Sequence, residues 1–310
     1  MLNTITINGA ADGPHLLITG GVHGDEFTPM AAVRELSQQV NPAGLCGRLT
    51  LVPIVNEAAF LNGHRTADDG LDLARVCPGR ADGSVTERTA HALSELIRSA
   101  DYYIDLHTGS TTDAVYPLAG YTLHPDAAVL ERQREMARAF NLPVIWGTSP
   151  TLNGRSLSVA RDAGVPAIYT EYLGSGVCDP DGVRAYVQGC RNVMGLLGMI
   201  EQTAPDSAVE HFVEDSRPNS GHMQIQNPAP QTGFFEPSVT LGEAIQAGRP
   251  IGVVTDVSGN SSIEVPSNQN GIVLTLRTFS RVLQGDSLGV ILEIQTGETS
   301  EAGRAFKNDS

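Results

Sequence analysis

The 310-residue chain has a single lysine, Lys307, against 19 arginines, and that shortage removes whole mechanisms. A phosphate loop of the GxxxxGK type needs a lysine beside its glycines. The glycine-rich stretch GGVHGDEF at 20–27 has none. Schiff-base chemistry would have to rest on Lys307, in a tail that reads as frayed. Cysteine is also scarce: Cys46, Cys77, Cys178 and Cys190 form no CxxC pair and no framework spacing, so a cytoplasmic, reducing setting is expected. No apolar run approaches the roughly 20 residues that span a bilayer. The N-terminal MLNTITINGA lacks a basic segment leading into an apolar one, so no signal peptide is expected. Positive charge is short as well. A net charge of −15 repels nucleic acid and anionic membranes, and neither is expected as a partner.

What is present has a clear order. Up to about residue 203, apolar runs such as HLLITGG, RLTLVPIVN, DYYIDLHTG, AVYPLAG, LPVIWG and VPAIYTEYLG alternate with helix-like stretches. The first helix is expected to have Thr28 as N-cap and Pro29 at its first position, ending near Gln39. Others are expected over Thr86–Ala100, Asp126–Phe140 and Asp179–Gln202. Continuous apolar runs between helices predict an α/β domain, with a mainly parallel sheet buried on both faces. From about 204 the composition changes to short β-type runs, IGVVTDV, IVLTLR and SLGVILEI, separated by turn signals. The expectation is therefore a domain over 1–203 and a smaller all-β, barrel-like domain over 204–310. Its pattern resembles the hairpins of lipoyl-type barrels. A lipoyl carrier needs a modifiable lysine in its hairpin, and there is none, so a lid or structural role is expected.

In α/β sheets, ligands bind outside the carboxyl ends of the strands. His23 and Glu26, in GGVHGDEF, fall there, after the first long apolar run. Such a turn can hold a metal, cradle a phosphate, or simply face water. DYYIDLHTGS puts His107 at a second strand end, with Asp105 two residues earlier on the same face. VPAIYTEYLGSG puts Glu171 at a third. Two histidines and one carboxylate make a set that binds catalytic zinc and leaves a position open. A further carboxylate nearby can act as general base. A single HxxE is weak evidence, and a lone histidine on an apolar strand is usually a satisfied core residue. Three polar sites closing three separate strands at one sheet edge favour the metal. His15, His64, His91, His124, His211 and His222 lack that setting and are read as surface or structural.

These motifs, together with VPIVNEAAFLNGHRTADDGLDLARVCPG, resemble the succinylglutamate desuccinylase/aspartoacylase family, deacylases of the zinc carboxypeptidase clan. The resemblance covers nearly the whole chain, in the family's order. It implies a zinc-carboxypeptidase-like fold and one Zn2+ held by His23, Glu26 and His107, with Glu171 as proton shuttle. It also implies that Arg65 polarises the scissile carbonyl and Arg75 holds a substrate carboxylate. The arginines lie in a long polar stretch, and long loops in compact domains are often functional. A guanidinium suits carboxylates and developing oxyanions through its planar fork of donors.

Two departures from the family pattern stand out. Its asparagine–arginine pair is Ala74–Arg75 here, so one amide donor to the substrate carboxylate is missing. Arg155, in LNGRS, is a candidate to supply that contact. Cys77 replaces a frequent phenylalanine before Pro-Gly and is read as a small buried thiol. The expected activity is zinc-dependent hydrolysis of an amide in a small N-acyl amino acid or related amine. A metallocarboxypeptidase acting on peptides and a non-catalytic binding protein are the alternatives. The expected partner is a small N-acyl substrate, and a homo-oligomer is compatible with the composition.

Overall fold

Leu16, Leu17 and Ile18 are fully buried. Successive strand side chains point to opposite faces, so Leu16 and Ile18 enter one core and Leu17 another. Each such burial contributes about 1.5–3 kcal/mol, which is why the strand is apolar throughout. The computed structural model describes residues 2–218, 220–221 and 227–294. His222, Lys307 and the end of the expected 204–310 domain lie outside the described residues.

The chain begins β1 (Ile5–Asn8), β2 (Ala11–Thr19), α1 (Phe27–Gln39), β3 (Cys46–Val52), α2 (Glu57–Asn62), α3 (Leu73–Val76), α4 (Val85–Arg98) and β4 (Tyr102–Leu106). It continues β5 (Asp113–Thr122), α5 (Ala127–Phe140), β6 (Val144–Thr148), α6 (Ser156–Ala163), β7 (Ala167–Gly174) and α7 (Pro180–Leu196). The rest is strand: β8 (His211–Glu214), β9 (Gly233–Pro237), β10 (Ala244–Ile245), β11 (Pro250–Asp256), β12 (Ser262–Pro266), β13 (Gly271–Arg277), β14 (Arg281–Val282) and β15 (Gly289–Leu292). No described helix is long and apolar enough to cross a membrane.

The large sheet runs β1-β3-β2-β4-β7-β5-β13-β10, with β15 on β13, β6 on β5 and β8 on β6. Its centre, β3, β2, β4 and β7, is parallel, as the buried runs predict. The sheet as a whole is mixed: β1 is antiparallel to β3, and β5 to β7. Helices α1, α5 and α7 pack together over one face, and α3, α4 and α6 over the other.

The region after 204 shares that sheet. β8 pairs with β6, and β13 joins β5 with Arg277 opposite Asp113. A second sheet, β12-β11-β9-β14, has its own core around Phe235, Ile251, Val254 and Val282.

Local differences from the sequence expectation have identifiable causes. Helix α1 starts at Phe27, with Glu26 rather than Thr28 in the N-cap position and no side-chain cap. Glu26 is engaged by two histidines, while Thr28 accepts a hydrogen bond from the Asp179 amide at 2.9 Å. Helix α4 starts at Val85 because Ser84 and Glu87 form a capping box. Helix α7 stops at Leu196 rather than near Gln202, and Gly198 at φ 70° turns the chain away. Glu171 lies within β7 rather than at its end. The β4 neighbour stops at Thr170, while β5 continues alongside to Gly174.

Candidate metal centre and substrate cavity

The turn after β2 is shaped by close approach. A Cβ on Gly24 would lie 2.1 Å from the Ala59 carbonyl carbon of α2, so only glycine lets the turn lie against that helix. Backbone bonds from Val55 to Gly20 and from Asn56 to Gly21 hold it there. The turn then presents His23 and Glu26, 4% and 1% exposed.

Glu26 bridges both histidines. Its Oε1 lies 2.6 Å from His23 Nδ1, and its Oε2 lies 3.0 Å from His107 Nδ1. One ligand atom from each of the three residues lies within 4.8 Å of the others. The remaining ring nitrogens face carboxylates, His23 Nε2 at 3.2 Å from Asp72 Oδ1 and His107 Nε2 at 3.1 Å from Asp105 Oδ2. Paired acidic partners of this kind orient imidazoles around metals. Asp105 is itself held: Thr19 Oγ1 donates to its Oδ1 at 2.8 Å, and Ser156 donates to its Oδ2. The backbone carbonyl of His107 accepts from Tyr186.

The electrostatics fit a cation at this point. Burial alone would raise Glu26, but the two imidazoles hold its carboxyl well below the usual range. Burial opposes charge on His107, yet Asp105 and Glu26 raise it well above an ordinary histidine. Three donors converge in a negative setting, so the residues present suit a divalent ion.

The other expected residues gather around the same cavity, of about 400 Å3. Arg65 donates from Nε and Nη2 to Asp72 Oδ2 at 3.1 and 3.0 Å, with Nη1 3.8 Å from Glu26 Oε1. Glu171 is 8% exposed, and its Oε2 has no hydrogen-bond partner. Burial pushes its carboxyl up to about 8, opposed by His107 and reinforced by Glu26. Ala74, Arg75 and Arg155 all line the cavity. Partial burial lowers both arginines, helped by Arg65 at Arg75 and by Arg75 at Arg155, while Asp72 opposes the shift at each. Cys77 is a buried thiol pushed up to about 12 by burial, which removes it as a nucleophile.

Two groups escaped the sequence reading. Asp72 ties His23 to Arg65, but nothing in TADDGLDLAR separates it from Asp68 or from Asp69, which bonds Thr86 instead. Thr275, Arg277 and Asp286 complete the cavity from the C-terminal region. They are more than 100 positions away in sequence, and only the β5–β13 pairing brings them in.

Fold and site together define an α/β enzyme with a polar cavity at one edge of its sheet. The model of the succinylglutamate desuccinylase/aspartoacylase catalytic domain matches residues 12–197, and the chain belongs to that family. It is 30% identical to an N-alpha-acetyl-L-2,4-diaminobutyric acid deacetylase of Halomonas elongata, over 94% of this chain and 85% of the relative. Its structure superposes on the product-bound ectoine utilization protein EutE (DoeB) of Ruegeria pomeroyi with TM-score 0.86 and 26% identity, covering 94% of this chain and 88% of the other. A succinylglutamate desuccinylase/aspartoacylase of Rhodobacter sphaeroides gives TM-score 0.84 and 28% identity, covering 94% and 88%. Deacylase activity on N-acyl amino acids is thus the activity of the family.

Proposed function

We propose that this protein is a zinc-dependent hydrolase that removes the acyl group from a small N-acyl amino acid. The observation that carries this reading is the unpartnered, buried Oε2 of Glu171, in the same cavity as His23, Glu26 and His107. His23 Nδ1, Glu26 and His107 Nδ1 would hold the ion, with Asp72 and Asp105 fixing the rings. A zinc ion in such a site supplies Lewis acidity to the carbonyl and acidifies water.

The chain's own groups do the rest. Glu171 takes the attacking water's proton and returns it to the leaving amine, a role suited to a carboxylate raised toward neutrality. Arg65, aligned by Asp72, stabilises the oxyanion. Arg75 receives the substrate carboxylate through its planar fork of donors, and Arg155, lining the same cavity, is the candidate for a second contact. A cavity of about 400 Å3 suits a small molecule better than a peptide. In this reading residues 204–310 act as a lid, since they supply Thr275, Arg277 and Asp286 to the wall.

The relative from Halomonas makes N-α-acetyl-2,4-diaminobutyrate the first substrate to try. The test is metal analysis of the purified protein, with acid release measured over a panel of N-acyl amino acids and dipeptides. The expected result is about one zinc per chain and turnover of N-acyl amino acids, with both lost in His107→Ala. Full zinc occupancy in His107→Ala, or hydrolysis of dipeptides alone, would overturn the reading.

A further inference from the structure

Away from the metal cluster the cavity runs over the face of β5, and Tyr169 of β7 lines it there. Tyr169 lies two residues before Glu171, on the same face of the strand. Its ring rests across Gly120, its partner on β5. A Cβ on Gly120 would fall 2.3 Å from Tyr169 Cε1 and 2.7 Å from the phenol oxygen, so only glycine leaves room for the ring. Two residues further along, the paired Thr122 and Thr148 line the same space.

No hydrogen bond from a described residue reaches the Tyr169 hydroxyl. Burial and the neighbouring Glu171 carboxylate raise its phenol, so it stays protonated and neutral. A second polar group in the same cross-strand row is also idle. Trp146 stands opposite Gly120 on β6, on the same face, and is 5% exposed. Its Nε1 has no partner among the described residues. Buried polar groups ordinarily find partners, and a hydroxyl left without one in a cavity wall points to a ligand.

The charges acting on Tyr169 say which part of a substrate it meets, and they are those of Glu171 and Arg155. Glu171 serves the amine nitrogen, and Arg75 with Arg155 the carboxylate. Both groups sit on the α-carbon of the leaving amino acid, while the acyl carbonyl lies toward the metal and Arg65. The substituent of that carbon still to be placed is its side chain.

We propose that Tyr169 is a specificity-determining residue whose hydroxyl hydrogen-bonds a polar group on the side chain of the leaving amino acid. A phenol both donates and accepts, so it suits a hydroxyl, amide or amine there. An apolar side chain of the same shape leaves the hydroxyl unpaired, and the site discriminates by that difference. The assignment rests on the deacylase reading for which part of the substrate lies beside Tyr169.

The experiment is a cycle of paired substrates against wild type and Tyr169→Phe. One pair is N-acetyl-homoserine and N-acetyl-norvaline, which exchange hydroxyl for methyl; the other is N-acetyl-glutamine and N-acetyl-homoleucine. Tyr169→Phe should lower the polar-over-apolar ratio of kcat/KM by about 3–10-fold in at least one pair, the scale of one neutral hydrogen bond. A loss shared equally by both members of both pairs marks a structural residue and overturns the proposal. Calorimetric binding of the four compounds to chelator-treated protein reads the same ratios where nothing turns over. A binding ratio lowered in Tyr169→Phe, with no acetate released from any compound, sinks the deacylase reading alone. Acetate release with ratios unchanged in the variant sinks the Tyr169 assignment alone. Neither binding nor turnover of any of the four sinks both.

Discussion

Replacing Glu171 with glutamine should make the protein a worse enzyme and, once stripped of metal, a more stable one at alkaline pH. In the folded protein the carboxyl titrates near 8 instead of 4.5, because burial disfavours its charge. Below pH 4.5 both folded and unfolded states hold the proton, and there is no penalty. Between 4.5 and about 8 the folded state holds a proton that the unfolded state has released, so stability falls as pH rises. Above that range the full penalty applies, on the order of 5 kcal/mol at 1.36 kcal/mol per pH unit. Glutamine removes the charge but brings an amide donor to a position where Oε2 had no partner, which costs about 1–3 kcal/mol. The net gain is therefore about 2–4 kcal/mol at pH 9, several degrees in melting temperature for a chain of this size. At pH 5 the gain vanishes. The assay is thermal unfolding of chelator-treated wild type and Glu171→Gln at both pH values, with turnover of the metal-loaded proteins measured separately. Turnover should fall about 100-fold or more while the metal is retained. A Glu171→Gln protein no more stable at pH 9 than at pH 5, relative to wild type, refutes the desolvation argument. Near-normal turnover refutes the catalytic one.

Asp105→Asn keeps the hydrogen bond from Thr19 but removes the charge facing His107 Nε2, so metal affinity should fall about 10–100-fold in chelator competition; unchanged affinity would show that the carboxylate does not orient the ring. Ala74 beside Arg75 lacks one hydrogen bond to a charged acceptor, worth about 1.5–3 kcal/mol. The wild type should therefore prefer an N-acyl amino acid over its carboxamide by less than about tenfold, and Ala74→Asn should raise that preference by about another tenfold. A wild type that already rejects the carboxamide, with no change in Ala74→Asn, would show that Arg155 completes the clamp.

Much of the fold and of the His23–Glu26–His107 cluster was legible in the chain, because both obey local rules. A strand covered on both faces must be apolar along its length, so Leu16–Ile18 and the runs ending at His107 and Glu171 mark the sheet centre directly. Polar residues that close such runs have few places to go except the ligand-binding edge. Boundaries set by competition were not legible. Thr28 is as good an N-cap as any by type, but Glu26 takes that position because its carboxylate is already claimed by His23 and His107.

The motif HGDE, the spacing of Asp105 and His107, and the lysine shortage belong to the sequence alone, and they exclude phosphate loops, Schiff bases and lipoyl arms without any structure. Tertiary structure alone decided which aspartate serves the site. Asp68, Asp69 and Asp72 differ little on paper, yet only Asp72 reaches both His23 and Arg65. It alone also joined the C-terminal strands to the large sheet, bringing Arg277 and Asp286 to the cavity through the pairing of β13 with β5. Such contacts depend on strands that meet across nearly 150 residues of intervening chain, and no local pattern of side chains encodes which edges will meet.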